Sequence, residues 1–482
     1  MSLPPILFLT PDPPGAIWQD KPQIARRLAR VTTVLYVGEE PYLRTWPGLA
    51  GATQPALTHI ADGLYTFRWS PLAPVTGAPL LGPLTAALRR RRLQSALRAI
   101  TSPPLTINHS PIPQLTISPS PLLWLFRPGQ QHWIDQLHPR LVIYHVVDEY
   151  SAYPGLSPAQ VERQRSLDRQ LTARADLVFC TAQSLVDARR PLNPNTHYMP
   201  NAVDFEAFQR AIASATGFDT AQRGFDTPQT ATQPTATQPT ATQPTPTQPT
   251  ATQPTATQPT ATQPTATQPT ATQPTATRPT AIQPTATRPT ATQPTATQST
   301  NLPIYQSPLL AVVGGINAKV DLRLLTEVAA RRPDWRIDLV GPLGYGLDAD
   351  ELARLRALPN VRLAGAVPPE QAPAVMAGCD VGLIPYKLNE QTRHVNPLKV
   401  YEYLAAGRPV VGTPLPELRQ FEPLVRLAGD VDGFVAAVEA ALAEGDAPDA
   451  VAARLAVAAA NTWDVRVERM VGLIEGGMGS GE

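Results

Sequence analysis

The sequence predicts an α/β protein of two Rossmann-like domains with a disordered Thr/Gln/Pro repeat linker between them, on three observations. Apolar runs of strand length alternate with helical periods in both halves of the chain, the signature of βαβ units and parallel sheets. From about Thr230 to Thr300 this pattern gives way to cycles of "TATQP". The non-repetitive remainder of the 482 residues is long enough for two full cores. The boundaries read as 1–217 for the first domain, 218–302 for the linker, 303–459 for the second domain and 460–482 for a C-terminal helix and tail.

In the first domain "PILFLT" (5–10) is a strand-length apolar run, followed by the helical period of "KPQIARRLARV" and the strand run "TTVLYVG". A basic amphipathic stretch, "AALRRRRLQSALRAI" (86–100), reads either as a solvated helix face or as a surface that rests on an anionic membrane. The Pro/Ser/Thr-rich 101–121 reads as a surface loop. Then "RLVIYHVVD" (140–148), the helical "VERQRSLDRQLTARA" and "DLVFCTA" (176–182) restore the strand–helix–strand order.

The repeat cannot be a solenoid. Five residues without a large apolar side chain bury no face, and a proline in nearly every unit removes N–H donors and favours extended conformers. It predicts a disordered linker, with a glycosylated stalk as the alternative for such composition.

In the second domain "PLLAVVGG" (308–315), "DLRLLTEVAARRP" and "RIDLVGP" (336–342) give strand, helix and strand, and "NVRLAGA", "PEQAPAVMAGC" and "DVGLIPY" (380–386) repeat the order. "NPLKVYEYLAAGRP" (396–409) carries Asn396 as a favoured N-cap, Pro397 at the first helical position and Gly407-Arg408-Pro409 as a stop. Such a helix start presents unpaired N–H groups and a positive dipole end to the carboxyl edge of the sheet, where open α/β folds bind phosphorylated ligands. Lys399 adds a full charge where the dipole already favours an anion, and Glu402 follows one turn later on the same face. Two readings stand on spacing alone: a nucleotide-diphosphate grip, or an ordinary capped helix with an i,i+3 ion pair.

Bulk composition excludes other classes. Forty Lys and Arg against 39 Asp and Glu give a formal charge of +1 and no global field for nucleic acid. The two cysteines, Cys180 and Cys379, encode neither a disulfide framework nor a metal cluster. The opening "MSLPPILFLTPDPP" lacks the basic region and cleavage site of an export signal, and its apolar run is far below the ~20 residues of a membrane span. A cytoplasmic location follows as the expectation, with the inner membrane face as a peripheral contact through 86–100.

"NPLKVYEYLAAGRPVVGTPLPEL" resembles the donor-binding segment of GT-B glycosyltransferases, in particular the retaining family 4 type and its teichuronic-acid-biosynthesis-like branch. The resemblance extends over nearly all of the chain outside the repeat. It implies two Rossmann-like domains facing across a cleft, with sugar transfer from a nucleoside diphosphate sugar to an acceptor hydroxyl of a glycan or lipid-linked acceptor, in cell-envelope polysaccharide or glycolipid synthesis. No metal and no cofactor beyond the donor substrate are implied.

In that family a Glu-x7-Glu pair grips the donor. Glu402 matches the second glutamate, which holds the ribose, while His394 stands at the first, a departure from the pattern. Leu398 and Lys399 fall at the helix start, and Pro397 stands where the family often has glycine. "LLAVVGGINAKVDLRLL" resembles the opening strand and glycine loop, which makes Gly315 and Lys319 candidates for the diphosphate; Gly341, Pro385 and Arg393 follow from "LVGP" and "DVGLIPYKLNEQTR", with Lys387 and Asn389 as further polar candidates. In the first domain "PPGAIWQDKPQIARRLAR" resembles the loop that approaches phosphate or acceptor, implicating Gly15, Trp18 and Gln19. "YHVVDEYSAYPG" sits where family members face the reacting sugar, and implies catalytic roles for Asp148 first and His145 second. "HYMPNAVDFEAF" resembles the exit from the first domain, where Asn201 and Asp204 shape the interdomain turn. Three alternatives remain: a non-catalytic sugar- or nucleotide-binding relative, a scaffold organised by the repeat, and a GT-B epimerase.

Overall fold

The computed structural model describes residues 3–10, 20–38, 56–70, 75, 81–101, 106–107, 110–111, 120–216 and 307–479. These belong to one compact unit formed by Met1–Thr220 with Gln306–Glu482. The expected linker and the loop with Gly15, Trp18 and Gln19 lie outside the described residues.

The first half runs β1 (Ile6–Leu9), α1 (Asp20–Leu28), β2 (Val34–Val37), β3 (Leu57–Ala61), β4 (Leu64–Phe67), α2 (Leu81–Thr101), β5 (Thr106–Ile107), β6 (Ser110–Pro111), β7 (Leu122–Leu125), α3 (His132–Leu137), β8 (Leu141–Val146), α4 (Pro158–Arg174), β9 (Leu177–Cys180), α5 (Gln183–Arg189), β10 (Thr196–Tyr198) and α6 (Phe205–Thr216). Its 8-stranded sheet has the order β10-β9-β8-β7-β1-β2-β4-β3 and is parallel apart from the β3–β4 hairpin. Strands β1, β2, β7, β8 and β9 are buried along their whole length, because helices cover both faces of a parallel sheet and alternation disappears. The element "LLWL" that forms β7 is central, between β1 and β8, and no expectation covered it.

The second half runs β11 (Leu309–Val313), α7 (Leu322–Arg331), β12 (Arg336–Val340), α8 (Ala349–Arg356), β13 (Val361–Gly365), α9 (Ala372–Ala377), β14 (Val381–Ile384), α10 (Leu398–Ala405), β15 (Val410–Gly412), β16 (Val425–Leu427), α11 (Val431–Glu444), α12 (Pro448–Ala460) and α13 (Trp463–Gly479). Its 6-stranded parallel sheet has the order β13-β12-β11-β14-β15-β16, reversing direction at β11 as a doubly wound sheet does. Helix α13 crosses back. Its Trp463, Val467, Met470 and Ile474, at i, i+4, i+7 and i+11, are buried in the core of the first half beside Ile6, Trp124 and Phe179. Arg27 fixes the crossing, with its guanidinium 2.8 Å from Asp464 and 3.2 Å from Asp204.

The basic stretch 86–100 falls within α2, where Arg89, Leu93, Ala96 and Leu97 are buried. Arg90, Arg91 and Arg92 remain outside, with Leu88 and Leu84 exposed about one and two turns earlier. The expected basic face therefore excludes Arg89, which packs inward by its position in the helical period.

Candidate functional site

The carboxyl ends of β8, β11, β12 and β14 bring the site together. At the end of β11, Gly314 carries φ +127° and Gly341, at the end of β12, φ +155°. A Cβ on Gly341 would lie 1.8 Å from the Gly314 carbonyl oxygen, so the two loops touch only because residue 341 is glycine. Gly314 in turn makes room for Lys399, whose Cε would lie 2.8 Å from a Cβ there. Gly314 is thus a glycine that the packing requires, whereas its neighbour Gly315, the candidate for the diphosphate, is exposed and could carry a Cβ at ordinary distance.

Lys399 reaches Glu402 on the same helix, Nζ to Oε2 2.5 Å, and Glu402 is buried. Helix α10 begins at Leu398 with Pro397 as N-cap and no side-chain cap. The expected Asn396 cap is absent because Asn396 is engaged elsewhere: its Oδ1 accepts from the Asn201 main-chain N–H (3.2 Å) and its Nδ2 donates to Glu417 (3.1 Å). Tertiary partners, Asn201 of the first half and Glu417 of the second, replace the local cap and leave the first-turn N–H groups of α10 without a side-chain acceptor. The Leu398 side chain packs against the core of the first half, so its main chain is what it presents at the helix start.

Lys319 leaves the loop after β11 and meets Asp148, which follows β8, at 3.3 Å. The other Asp148 oxygen accepts from the Tyr153 hydroxyl at 2.8 Å. Burial disfavours the Lys319 charge, but Asp148, with Tyr386 and Tyr345 behind it, holds its pKa above the ordinary lysine value. Tyr386, on the loop after β14, feels the charges of both ion pairs. Burial raises its phenol pKa, and the charges of Lys319, Lys399, Glu402 and Asp148 all act on it, the cations lowering it and the carboxylates raising it. The ends of both sheets thus converge on two lysines, two carboxylates and one phenol.

The remaining candidates are distributed around this centre. Pro385 is buried, and its carbonyl accepts from Asp321 N–H at 2.7 Å. Lys387 N–H donates to the Lys319 carbonyl at 2.8 Å, tying the two loops, while the Lys387 side chain points to Glu351 at 3.9 Å. Asn389 instead caps a turn of its own loop through Thr392. Arg393 is exposed beside Glu390 at 3.8 Å. His394 faces the first half, with Nδ1 2.9 Å from Ser184 Oγ and Nε2 3.1 Å from Glu390 Oε1, so a carboxylate stands next to the position where the family pattern has one.

His145 is not at the surface of this centre. It is 2% exposed, stacked on Phe126 at 5.2 Å and edge-on to Phe179 at 6.0 Å, and neither ring nitrogen has a hydrogen-bond partner. Burial first, and the Lys21 charge second, depress its pKa to about 3. Its place on β8 explains this: residues 141, 143 and 145 share the face that packs under α13.

Glu417 escaped sequence reasoning. Buried, it accepts from Gln183 N–H (2.6 Å) and the Tyr198 hydroxyl (2.6 Å) of the first half, and from Asn396 Nδ2 of the second. Tyr153 and Tyr386 were also missed, and no local signal marks any of the three. Tyr403 had one, as an aromatic inside the α10 motif: its hydroxyl donates to the Ala311 carbonyl (2.7 Å) and accepts from Val313 N–H (2.9 Å), fixing α10 to β11.

Residues 307–455 match the family model described as "Glycosyl transferases group 1". TuaH of Bacillus subtilis (strain 168), named as a teichuronic acid biosynthesis glycosyltransferase, is 40% identical over 141 residues, which cover 28% of this chain and 35% of that protein. The chain thus aligns with about a third of that relative's length. Among solved structures, sucrose-phosphate synthase from Thermosynechococcus elongatus superposes with a TM-score of 0.57 at 14% identity over 98% of both chains. Anabaena Alr3699/HepE in complex with UDP and glucose gives 0.53 at 12% identity over 98% of this chain and 99% of that one. The α,α-trehalose 6-phosphate synthase from Burkholderia multivorans gives 0.54 at 11% identity over 100% of each. The architecture is GT-B, and the second half carries a glycosyl transferases group 1 domain.

Proposed function

We propose that this chain, whose residues 307–455 form a glycosyl transferases group 1 domain, transfers a sugar from a nucleoside diphosphate sugar to an acceptor hydroxyl in polysaccharide or glycolipid synthesis of the cell envelope. The observation that carries the reading is the meeting of Lys319 and Asp148 from opposite halves beside Lys399, Glu402 and the uncapped start of α10. Anion donors of this kind, the helix-start N–H groups and two ammonium groups, suit the charge that grows on a departing diphosphate. Glu402, fixed by Lys399, offers a carboxylate for paired ribose hydroxyls. Asp148 orients the acceptor hydroxyl and takes its proton as the new bond forms. Retention of anomeric configuration, by departure and attack on one face, follows from the family 4 resemblance. The HepE structure, with its bound UDP and glucose, supports a nucleotide-sugar donor.

The test is a thermal-shift panel of UDP-, GDP- and ADP-sugars on the wild type and Glu402→Gln. One base is expected to raise the melting temperature of the wild type in a saturable way, as a ligand at about 100 Kd stabilises by about 2.7 kcal/mol. Glu402→Gln should lose most of that shift. A flat response to all three donors refutes the reading, and binding without hydrolysis or transfer of the donor favours the non-catalytic alternative, for which His394 in place of the first glutamate is the supporting feature.

A further inference from the structure

Both lysines of the site are already occupied. Lys319 Nζ lies 3.3 Å from Asp148 Oδ1, and Lys399 Nζ lies 2.5 Å from Glu402 Oε2. Only about a fifth of each of the Lys319 and Asp148 side chains is exposed, 19% and 20%, so water screens this pair weakly. The pair also joins the halves, with Asp148 after β8 and Lys319 after β11.

A diphosphate that settles on Lys319 competes with Asp148 for the same ammonium, and in this half-buried place the repulsion between the two anions favours release of the carboxylate. We infer that the Lys319–Asp148 ion pair is a resting-state latch: the donor diphosphate takes Lys319 and releases Asp148, so this carboxylate reaches an acceptor hydroxyl only after the donor is in place. Tyr153 is then a positioning residue. Its hydroxyl holds Oδ2, the oxygen that Lys319 does not touch, and keeps the carboxylate oriented when Oδ1 becomes free. The order of binding, donor before acceptor, is thereby written into one side-chain exchange. Glu402 does not take part in the same way, since its partner lies on its own helix and it is buried.

The latch rests on the nucleotide-sugar reading above, and the experiment separates the two. Calorimetric titration with UDP, GDP and ADP is carried out on the full chain as wild type, Asp148→Asn, Lys319→Gln and the double variant. Asp148→Asn is expected to bind the preferred nucleotide about 3- to 10-fold more tightly than wild type, since the competitor for Lys319 is gone, and to lose transfer activity. Lys319→Gln should weaken binding about tenfold or more, and in that background Asp148→Asn should bring no further gain. Equal or weaker binding by Asp148→Asn overturns the latch, as does the same gain in both backgrounds, which would mean simple removal of negative charge. Asp148→Ser replaces the Asn variant if the latter does not fold. A wild type that binds none of the three nucleotides overturns the donor reading and the latch with it. Tyr153→Phe is expected to raise the acceptor KM while leaving nucleotide affinity and melting temperature near wild type. A uniform loss of stability and nucleotide binding would instead make Tyr153 structural.

Discussion

Replacing Gly341 by alanine tests the glycine contact on which the site is built. The new Cβ would sit 1.8 Å from the Gly314 carbonyl oxygen and 2.6 Å from its carbon, and restoring even a 3.0 Å contact requires the ends of β11 and β12 to part by about 1.2 Å. Both neighbours are backbone, so no side chain can swing away. Overpacking of this kind, added to a φ of +155° that L residues avoid, amounts to about 2–5 kcal/mol. At roughly 2–4 °C per kcal/mol for a unit of this size, the melting temperature should fall by about 10 °C. Displacing Gly314 also displaces the Lys399 stem that lies against it, and a misplacement of about 1 Å at reacting groups lowers a rate on the order of 100-fold. Gly315→Ala is the control: its Cβ would meet only Asn317 Nδ2, at 3.6 Å, so melting should stay within about 1–2 °C of wild type. Differential scanning calorimetry of the two variants decides the matter. If Gly341→Ala melts like Gly315→Ala, the loops are not held by this contact and the steric reasoning fails.

Three further outcomes are expected. Glu417→Gln keeps the shape and can turn its amide oxygen to the Gln183 main-chain N–H, but its NH2 group then faces Asn396 Nδ2, whose amide is held in place by the bond its Oδ1 accepts from Asn201, so it should destabilise by about 2–4 kcal/mol in chemical denaturation; a loss under 0.5 kcal/mol would contradict the bridging role. His145, held neutral with a pKa of about 3 against an ordinary ~6.5, contributes stability that is present above pH ~6.5 and lost as pH falls toward 3; His145→Phe should flatten the acid limb of the stability profile, and an unchanged slope would show that other groups set it. Changing Arg90, Arg91 and Arg92 to Gln together should weaken sedimentation with anionic vesicles by up to about 100-fold, at about 1 kcal/mol per arginine, whereas unchanged sedimentation removes α2 as a membrane surface.

The motif around α10 shows how far local information reaches. "NPLKVYEYLAAGRP" was legible as a helix with a ligand-facing start, and the Lys399–Glu402 pair was legible as a possible i,i+3 contact, because helix geometry converts spacing into direction. The cap was misread because Asn396 has local and tertiary partners of similar strength, and the first half supplies Asn201 while the second supplies Glu417. His145 was misread for a related reason. Position in a strand fixes the face a residue takes, but which face lies under a helix depends on where α13 docks, more than 300 residues later in the chain.

The sequence by itself determined the alternation of strands and helices, the interruption by the repeat and the resemblance of the α10 segment, because hydrophobic period and turn residues act over a few neighbours. Only the tertiary structure decided that Gly314 and Gly341 touch, that Glu417 ties the halves together and that Lys319 rests on Asp148. Each of these joins residues from different strand ends or different halves, and the energy of a close contact between distant segments depends on a separation in space that no local pattern encodes.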